Sequence, residues 1–305
     1  MPQPDYQKLI DSSTWDFINQ TSDFYPPDAI NMTIAQQRAV YDQMCRAFHA
    51  GYPPGVTASD ETHANIPCRT YTKGASPVTV VYFHGGGFVV GGLESHDDVC
   101  AEICAATGFR VIAVDYRLAP EHRHPAAYDD CLAATRAVAL ACNTPLILVG
   151  DSAGGALAAS VSHATRHSLP LLGQVLIYPG LGGDRGQGSY ITHAHAPMLS
   201  LADVLYYAQI RYDGPEPTTD PTAAVLHDSD FTALPPTTII SAECDPLADD
   251  GRSYHDKIRA AGGSADWHLE PGLVHGYLRA RHTVPRATAS FARICAVIGR
   301  YGVGA

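Results

Sequence analysis

Basic residues are scarce in this 305-residue chain: 20 Lys and Arg stand against 31 Asp and Glu, a formal net charge of −11. Such a surface repels phosphate backbones, which argues against nucleic acid as a partner. Long apolar runs are missing as well. No uncharged stretch nears the roughly 20 residues that span a bilayer. The opening MPQPDYQKLIDSSTW has no basic patch followed by an apolar segment, so neither membrane insertion nor export is expected. None of the 8 cysteines forms a C-x-x-C pair. Cys100 and Cys104 fall one helical turn apart, and the expectation is buried free thiols in a reducing cytoplasm. The sequons Asn19-Gln20-Thr21 and Asn31-Met32-Thr33 then carry no weight. Repeats and low-complexity tracts are absent. With 46% hydrophobic and 17% charged residues, what is there is a chain folded throughout, long enough for one large core.

Residues 1–50 are polar and helix-prone, with Ile34, Val40, Tyr41, Met44 and Phe48 on one helical face. The turn-rich Gly51-Tyr52-Pro53-Pro54-Gly55 ends this segment. Short apolar runs follow at 78–84, 110–116, 146–150, 174–179 and 237–242. They are too short for helices and rich in β-branched residues, as strands buried on both faces are. ADWHLE at 265–270 makes a last strand. Helical patterns around 95–107, 126–142, 153–167, 248–261 and 286–300 separate the runs. This alternation predicts an α/β fold with a mostly parallel central sheet flanked by helices. The interval 180–215 breaks the rhythm. It opens with glycines and carries Tyr190, Tyr206, Tyr207 and Tyr212, and is read as an insertion over the site. The division expected is an N-terminal cap segment, 1–50, and a catalytic domain, 51–305, with 180–215 inserted as part of the cap.

Gly150-Asp151-Ser152-Ala153-Gly154 is a G-x-S-x-G pattern set between an apolar strand and a small-residue helix. That strand–turn–helix setting exposes the serine hydroxyl above the sheet, so Ser152 is the candidate nucleophile. His84-Gly85-Gly86-Gly87 ends another strand, and consecutive glycines can turn N–H groups toward a developing oxyanion. The second donor in acyl transfer is the residue after the nucleophile, here Ala153. A phosphate loop is excluded because no Lys-Ser/Thr follows Gly91-Gly92. A serine needs a base and the base an orienting acid, in the chain order serine, acid, histidine. His275 stands in a Gly-flanked loop after the last strand. Glu243, Asp245, Asp249 and Asp250 are all candidate acids. Asp249 and Asp250 are explained as first-turn charges of a helix and Glu243 lies close to its strand, so Asp245 is favoured.

The ordered set HGGGF (84–88), DYRLAPEH (115–122), GDSAGG (150–155), CDPLADDG (244–251) and HGY (275–277) resembles the bacterial hormone-sensitive-lipase-like esterases of the α/β-hydrolase fold. TIAQQR (33–38) and HGGGFVVGGLESHD are similar to cytoplasmic acetyl esterases. The resemblance runs from about residue 30 to the C-terminus. It implies a Ser152–Asp245–His275 triad, oxyanion donors at Gly86, Gly87 and Ala153, and a helical cap. Ala248 and Asp250 depart from the Arg and Glu common in the family, and Tyr277 stands where Phe is usual.

The expected function is therefore a carboxylesterase for short acyl esters, acting through an acyl-enzyme on a small-molecule substrate, with no cofactor and no metal. A non-catalytic binding protein on the same scaffold is the competing reading, and the presence of His275 counts against it. An amidase, thioesterase or lipase stays open. Asp115, Arg117 and Glu121 are expected to form a buried ion-paired network, His84 to brace the glycine loop and Asp151 to be structural. The pairs His193/His195 and His122/His124 lack further ligands for a metal site. Trp15, Phe17, Phe24 and Tyr25 serve either cap packing or acyl-pocket lining.

Overall fold

The computed structural model describes residues 4–26 and 32–303, so Asn31 of the second sequon lies outside the described residues. Eight strands form one sheet: β1 (Thr57–His63), β2 (Ile66–Thr72), β3 (Thr79–Phe83), β4 (Arg110–Val114), β5 (Leu146–Asp151), β6 (Leu171–Ile177), β7 (Thr237–Cys244) and β8 (Ala265–Val274). Their spatial order is β1-β2-β4-β3-β5-β6-β7-β8. From β4 to β8 all neighbours are parallel, while β1–β2 and β2–β4 are antiparallel.

The central strands are apolar without a break because both faces are covered. Val80, Tyr82, Val111, Ile147 and Val149 face one core with Ile103 of α4 (Asp97–Thr107) and Phe291 of α10 (Pro285–Tyr301). The alternate residues Val81, Phe83, Ile112, Leu146 and Leu148 face a second core. It is closed by α5 (Ala126–Cys142), α6 (Ala153–Thr165) and α9 (Ala248–Ala260). Each fully buried Val, Leu or Ile contributes about 1.5–3 kcal/mol, so these strands hold the platform rigid. The five expected strands and ADWHLE are all present, and β8 runs on to Val274, one residue short of His275.

The β1–β2 hairpin had no counterpart in the sequence reading. Along TASDETH no residue is fully buried, so the run carries no hydrophobic period; it is an edge strand at the end of the sheet. Its signature is the two-residue turn Ala64-Asn65, both with positive φ (52° and 63°), as a tight hairpin requires.

Three N-terminal helices, α1 (Tyr6–Leu9), α2 (Ser12–Ser22) and α3 (Ile34–Phe48), pack against this body. The α3 helix starts at a capping box in which Gln36 N–H reaches Thr33 Oγ1 and Thr33 N–H reaches Gln36 Oε1. Its buried residues are Tyr41, Met44 and Cys45. Phe17 meets Phe48 edge-on at 5.4 Å in the core, whereas Tyr25 faces a cavity. Within 180–215 the chain forms α7 (Ser189–Thr192) and α8 (Leu201–Arg211).

One expected cluster does not form. Asp115, Arg117 and Glu121 do not pair with one another: Arg117 binds Asp130, Glu121 binds Arg38 of α3, and Asp115 is held above the usual carboxylate range by burial. Adjacent residues after a strand point in different directions, so closeness in sequence did not make them partners.

Candidate active site

Ser152 sits between β5 and α6 with φ 53° and ψ −118°, a conformation costly for any residue with a Cβ and typical of a strained functional turn. Its neighbours must be small. A Cβ on Gly154 would lie 1.9 Å from the Phe83 carbonyl oxygen, so glycine alone lets α6 approach β3 this closely. The Ser152 hydroxyl lies 2.8 Å from His275 Nε2, and His275 Nδ1 lies 2.7 Å from Asp245 Oδ2. The carboxylate accepts, which holds the histidine proton on Nδ1 and leaves Nε2 free to accept from the serine. Asp245 is fully buried, and its other oxygen accepts the Leu247 N–H at 2.9 Å. The three residues come from the ends of β5, β7 and β8, where parallel sheets carry their functional groups.

The glycine loop runs beside the serine. Gly86 and Gly87 have φ of 127° and 61°, and among the described residues no protein acceptor takes their N–H groups. Beneath the loop, Asp151 accepts from Tyr82 Oη and from the Gly85 N–H, and its other oxygen lies 3.2 Å from His96 Nε2. Burial opposes ionisation of Asp151, yet His96 and the hydroxyl donor outweigh it and hold the carboxyl down at about 2. His84 stacks on Tyr116 at 4.2 Å and meets Gly85 O at 2.7 Å. Burial, with His96 close by, lowers it to about 4, so it is a neutral brace. Both residues tie the glycine loop to the serine turn.

Two cavities meet at Ser152. The smaller, about 100 Å³, is lined by Phe88, Ala153, Leu199, Val204, Arg211 and Leu247 among others. The larger, about 360 Å³, is lined by His275, Tyr178, Tyr25, Tyr41, Met44 and Arg279 among others. Helix α8 covers the loop so closely that the Tyr207 ring lies 2.7 Å from where a Gly87 Cβ would be.

The other candidate acids have separate work. Glu243 accepts the Gly272 N–H at 2.7 Å, holding the segment that leads to His275. Asp249 accepts the Ser189 N–H. Asp250 is buried and accepts from the N–H groups of Leu181 and Gly182 and from Tyr190 Oη. Both aspartates are indeed in the first turn of α9, but the helix-dipole reading missed that they anchor the 181–190 loop. Burial pushes the Asp250 carboxyl up to about 6, despite those donors. A carboxyl that holds its proton more tightly folded than unfolded stabilises fully below the unfolded value of 3.8 and loses that contribution as pH rises through about 6. We therefore expect Asp250→Asn to gain on wild type by about 2 kcal/mol between pH 4 and 7. Urea unfolding of both proteins at the two pH values checks this, and a gap that does not change with pH refutes it.

Sequence reasoning also missed Arg211, Tyr178 and Phe88. Tyr178 places its ring 4.8 Å from that of His275, and no local pattern marks it beyond its position at a strand end. Tyr277, the departure from Phe, bonds Ser290 Oγ at 2.7 Å, and Ser290 donates to Glu270. Of the histidines once weighed as ligands, His193 faces Tyr6 and His124 faces Asp220. Among the described residues the cluster with metal-ligand spacing is Asp98, Glu102 and His282, and the Arg281 guanidinium already bridges its two carboxylates at 2.5 and 2.6 Å. No helix among the described residues is long and apolar enough to cross a membrane.

Comparison with known proteins bears on the fold and the reaction class. A family model described as the α/β hydrolase fold matches residues 80–279. The carboxylesterase NlhH of Mycobacterium tuberculosis is 38% identical over 252 residues, covering 77% of this chain and 78% of its own. The ethyl acetate hydrolase of Pseudomonas putida is 34% identical over 229 residues, 70% of this chain and 72% of its own. The crystal structure of an esterase from the bacterial hormone-sensitive lipase family superposes with a TM-score of 0.87 at 26% identity, covering 95% of this chain and 98% of that one. With the expected fold present and these similarities, the chain belongs to the α/β-hydrolase family and, within it, to the hormone-sensitive-lipase-like carboxylic ester hydrolases.

Proposed function

We propose that the chain hydrolyses short-chain acyl esters with Ser152 as nucleophile, His275 as base and acid in turn, and Asp245 as orienter. The observation that carries this reading is the unbroken line from Ser152 Oγ through both nitrogens of His275 to the buried Asp245 carboxylate. In the first step Ser152 Oγ attacks the ester carbonyl carbon as its proton passes to His275 Nε2. The N–H groups of Gly86, Gly87 and Ala153 receive the oxyanion. The tetrahedral adduct collapses, the C–O bond to the alcohol breaks, and His275 protonates the leaving oxygen. Water, deprotonated by the same nitrogen, then attacks the acyl-enzyme and restores the serine. All three groups are protein groups, so the cycle requires neither metal nor cofactor.

The leaving oxygen must lie within reach of His275, so the lobe lined by His275 takes the alcohol and the smaller lobe takes the acyl group. Segments 1–50 and 180–215 act as a cap in this reading, with Tyr25, Tyr41 and Met44 on one lobe and Val204, Tyr207 and Arg211 on the other. A small capped acyl lobe supports acetyl-to-hexanoyl preference, and the ethyl acetate hydrolase among the relatives supports it too. Eight free cysteines, seven of them buried, support a cytoplasmic setting.

Each methylene that fits the lobe gains up to about 0.8 kcal/mol by burial. Past its depth, overpacking costs about 1–3 kcal/mol, so specificity turns over sharply. We expect kcat/KM to peak at about two to six acyl carbons in a series from acetate to palmitate esters. A maximum at ten carbons or more, or activation by an oil–water interface, refutes the capped-lobe reading.

A further inference from the structure

We propose that the smaller lobe is built for an acyl group ending in a carboxylate, with Arg211 as the residue that selects it. The inference rests on the esterase reading above and narrows its substrates to half-esters of short dicarboxylic acids.

Arg211 is the last residue of α8, only 9% exposed, and lines the lobe that holds Ser152. Its guanidinium carbon lies over the Phe88 ring, 3.6 Å from the centroid, and 4.9 Å from that of Tyr212. Among the described residues no carboxylate pairs with it. The acidic side chains nearby are already committed. Glu216 binds Arg185 at 2.5 Å, Asp220 binds His124 and Thr222, and Asp213 binds Arg123. Burial lowers the guanidinium from its ordinary value. Tyr212, Glu216 (which also lines the lobe), Tyr116 and Asp220 offset this only through longer-range charge. Among the described residues none of them hydrogen-bonds or ion-pairs with it, as the partner of a buried cation normally does.

A second observation points to the same place. Tyr212 lines the same lobe, and its hydroxyl is buried with no hydrogen-bond partner among the described residues. Buried polar groups left without partners in the free protein are those a ligand satisfies. A planar fork of N–H donors beside a hydroxyl donor is matched by a carboxylate, which accepts from both at once. The remaining lining includes Leu199, Val204 and Leu247, a low-dielectric wall that strengthens such a pairing. The volume of about 100 Å³ leaves room for a short spacer between the ester carbonyl and the charge.

The Phe88 stack also braces the glycine loop, so the test must separate charge selection from bracing. Ethanol release is measured at pH 7 from ethyl hydrogen succinate and from ethyl 4-methylpentanoate, a neutral ester of nearly the same shape. Wild type, Ser152→Ala, Arg211→Met, Arg211→Lys and Tyr212→Phe are compared. The readout is the ratio of kcat/KM for the two esters, in which a loop disturbance cancels. We expect Arg211→Met to lower this ratio by about 10- to 100-fold, the range for hydrogen bonds to charged groups. Arg211→Lys keeps the charge and restores part of the ratio, and Tyr212→Phe lowers it by less. If Arg211→Met does not fold, the ratios in the other two variants decide. A ratio unchanged by these substitutions, or a wild type that takes the neutral ester and rejects the half-ester, overturns the proposal. Should wild type fail on both esters, or Ser152→Ala act as wild type does, the esterase reading falls and this inference falls with it.

Discussion

Replacing Ser152 by alanine is expected to lower kcat by on the order of 10⁶, close to the whole enzymatic advantage of a serine nucleophile. The size follows from the geometry: in the proposed mechanism the hydroxyl is the atom that bonds to the substrate carbon, and among the described residues no other nucleophile is placed between the two lobes. Its single side-chain hydrogen bond is to His275, so the substitution removes little that holds the fold. The backbone strain at φ 53° stays, because alanine carries the same Cβ. We therefore expect an inactive protein whose unfolding midpoint stays near that of wild type. An organophosphate should label Ser152 in wild type and nothing in the variant. Turnover retained in the variant, or a label on another serine, would falsify the assignment.

The second large effect is at Asp245. Asparagine matches it in shape and can still accept the Leu247 N–H through its carbonyl oxygen. Its amide nitrogen, however, is a donor where His275 Nδ1–H needs an acceptor. The imidazole then shifts its proton to Nε2, where it can no longer accept from Ser152, and the imidazolium formed during attack loses its anion. A loss of about 10⁴ in kcat is expected for Asp245→Asn. Glu243→Gln is the control. Its carboxylate accepts the Gly272 N–H, a bond that the glutamine carbonyl can also make, so activity should fall by far less. Equal losses at the two sites, with both proteins folded, would mean that the orienting acid has been misassigned.

These two predictions could be written from the sequence because the serine and the histidine announce themselves locally, while the acid was one of four candidates in a single loop. A strand buried on both faces appears as an unbroken apolar run, and the groups at its carboxyl end are those a parallel sheet exposes. Ser152 and His275, 123 residues apart, could thus be paired before any coordinates. The strands and helices flanking them were legible for the same reason, since solvent and core impose their period on the side chains. Edge strands escape that rule: β1 is polar along its length, and only the Ala64-Asn65 turn betrays the hairpin.

What the tertiary structure alone decided is how side chains converge from distant elements. Arg117 went to Asp130 rather than to its near neighbours, Asp250 went to the 181–182 backbone, and Arg211 came to rest in the lobe beside Ser152. The order of motifs along the chain determined the fold and the reaction class, because local burial and chain order are sufficient for both. The lining and charge of the lobes were settled only by packing. Which charges meet a partner and which stay unpaired depends on the relative placement of α8, the glycine loop and the 181–190 loop, and no local pattern encodes that.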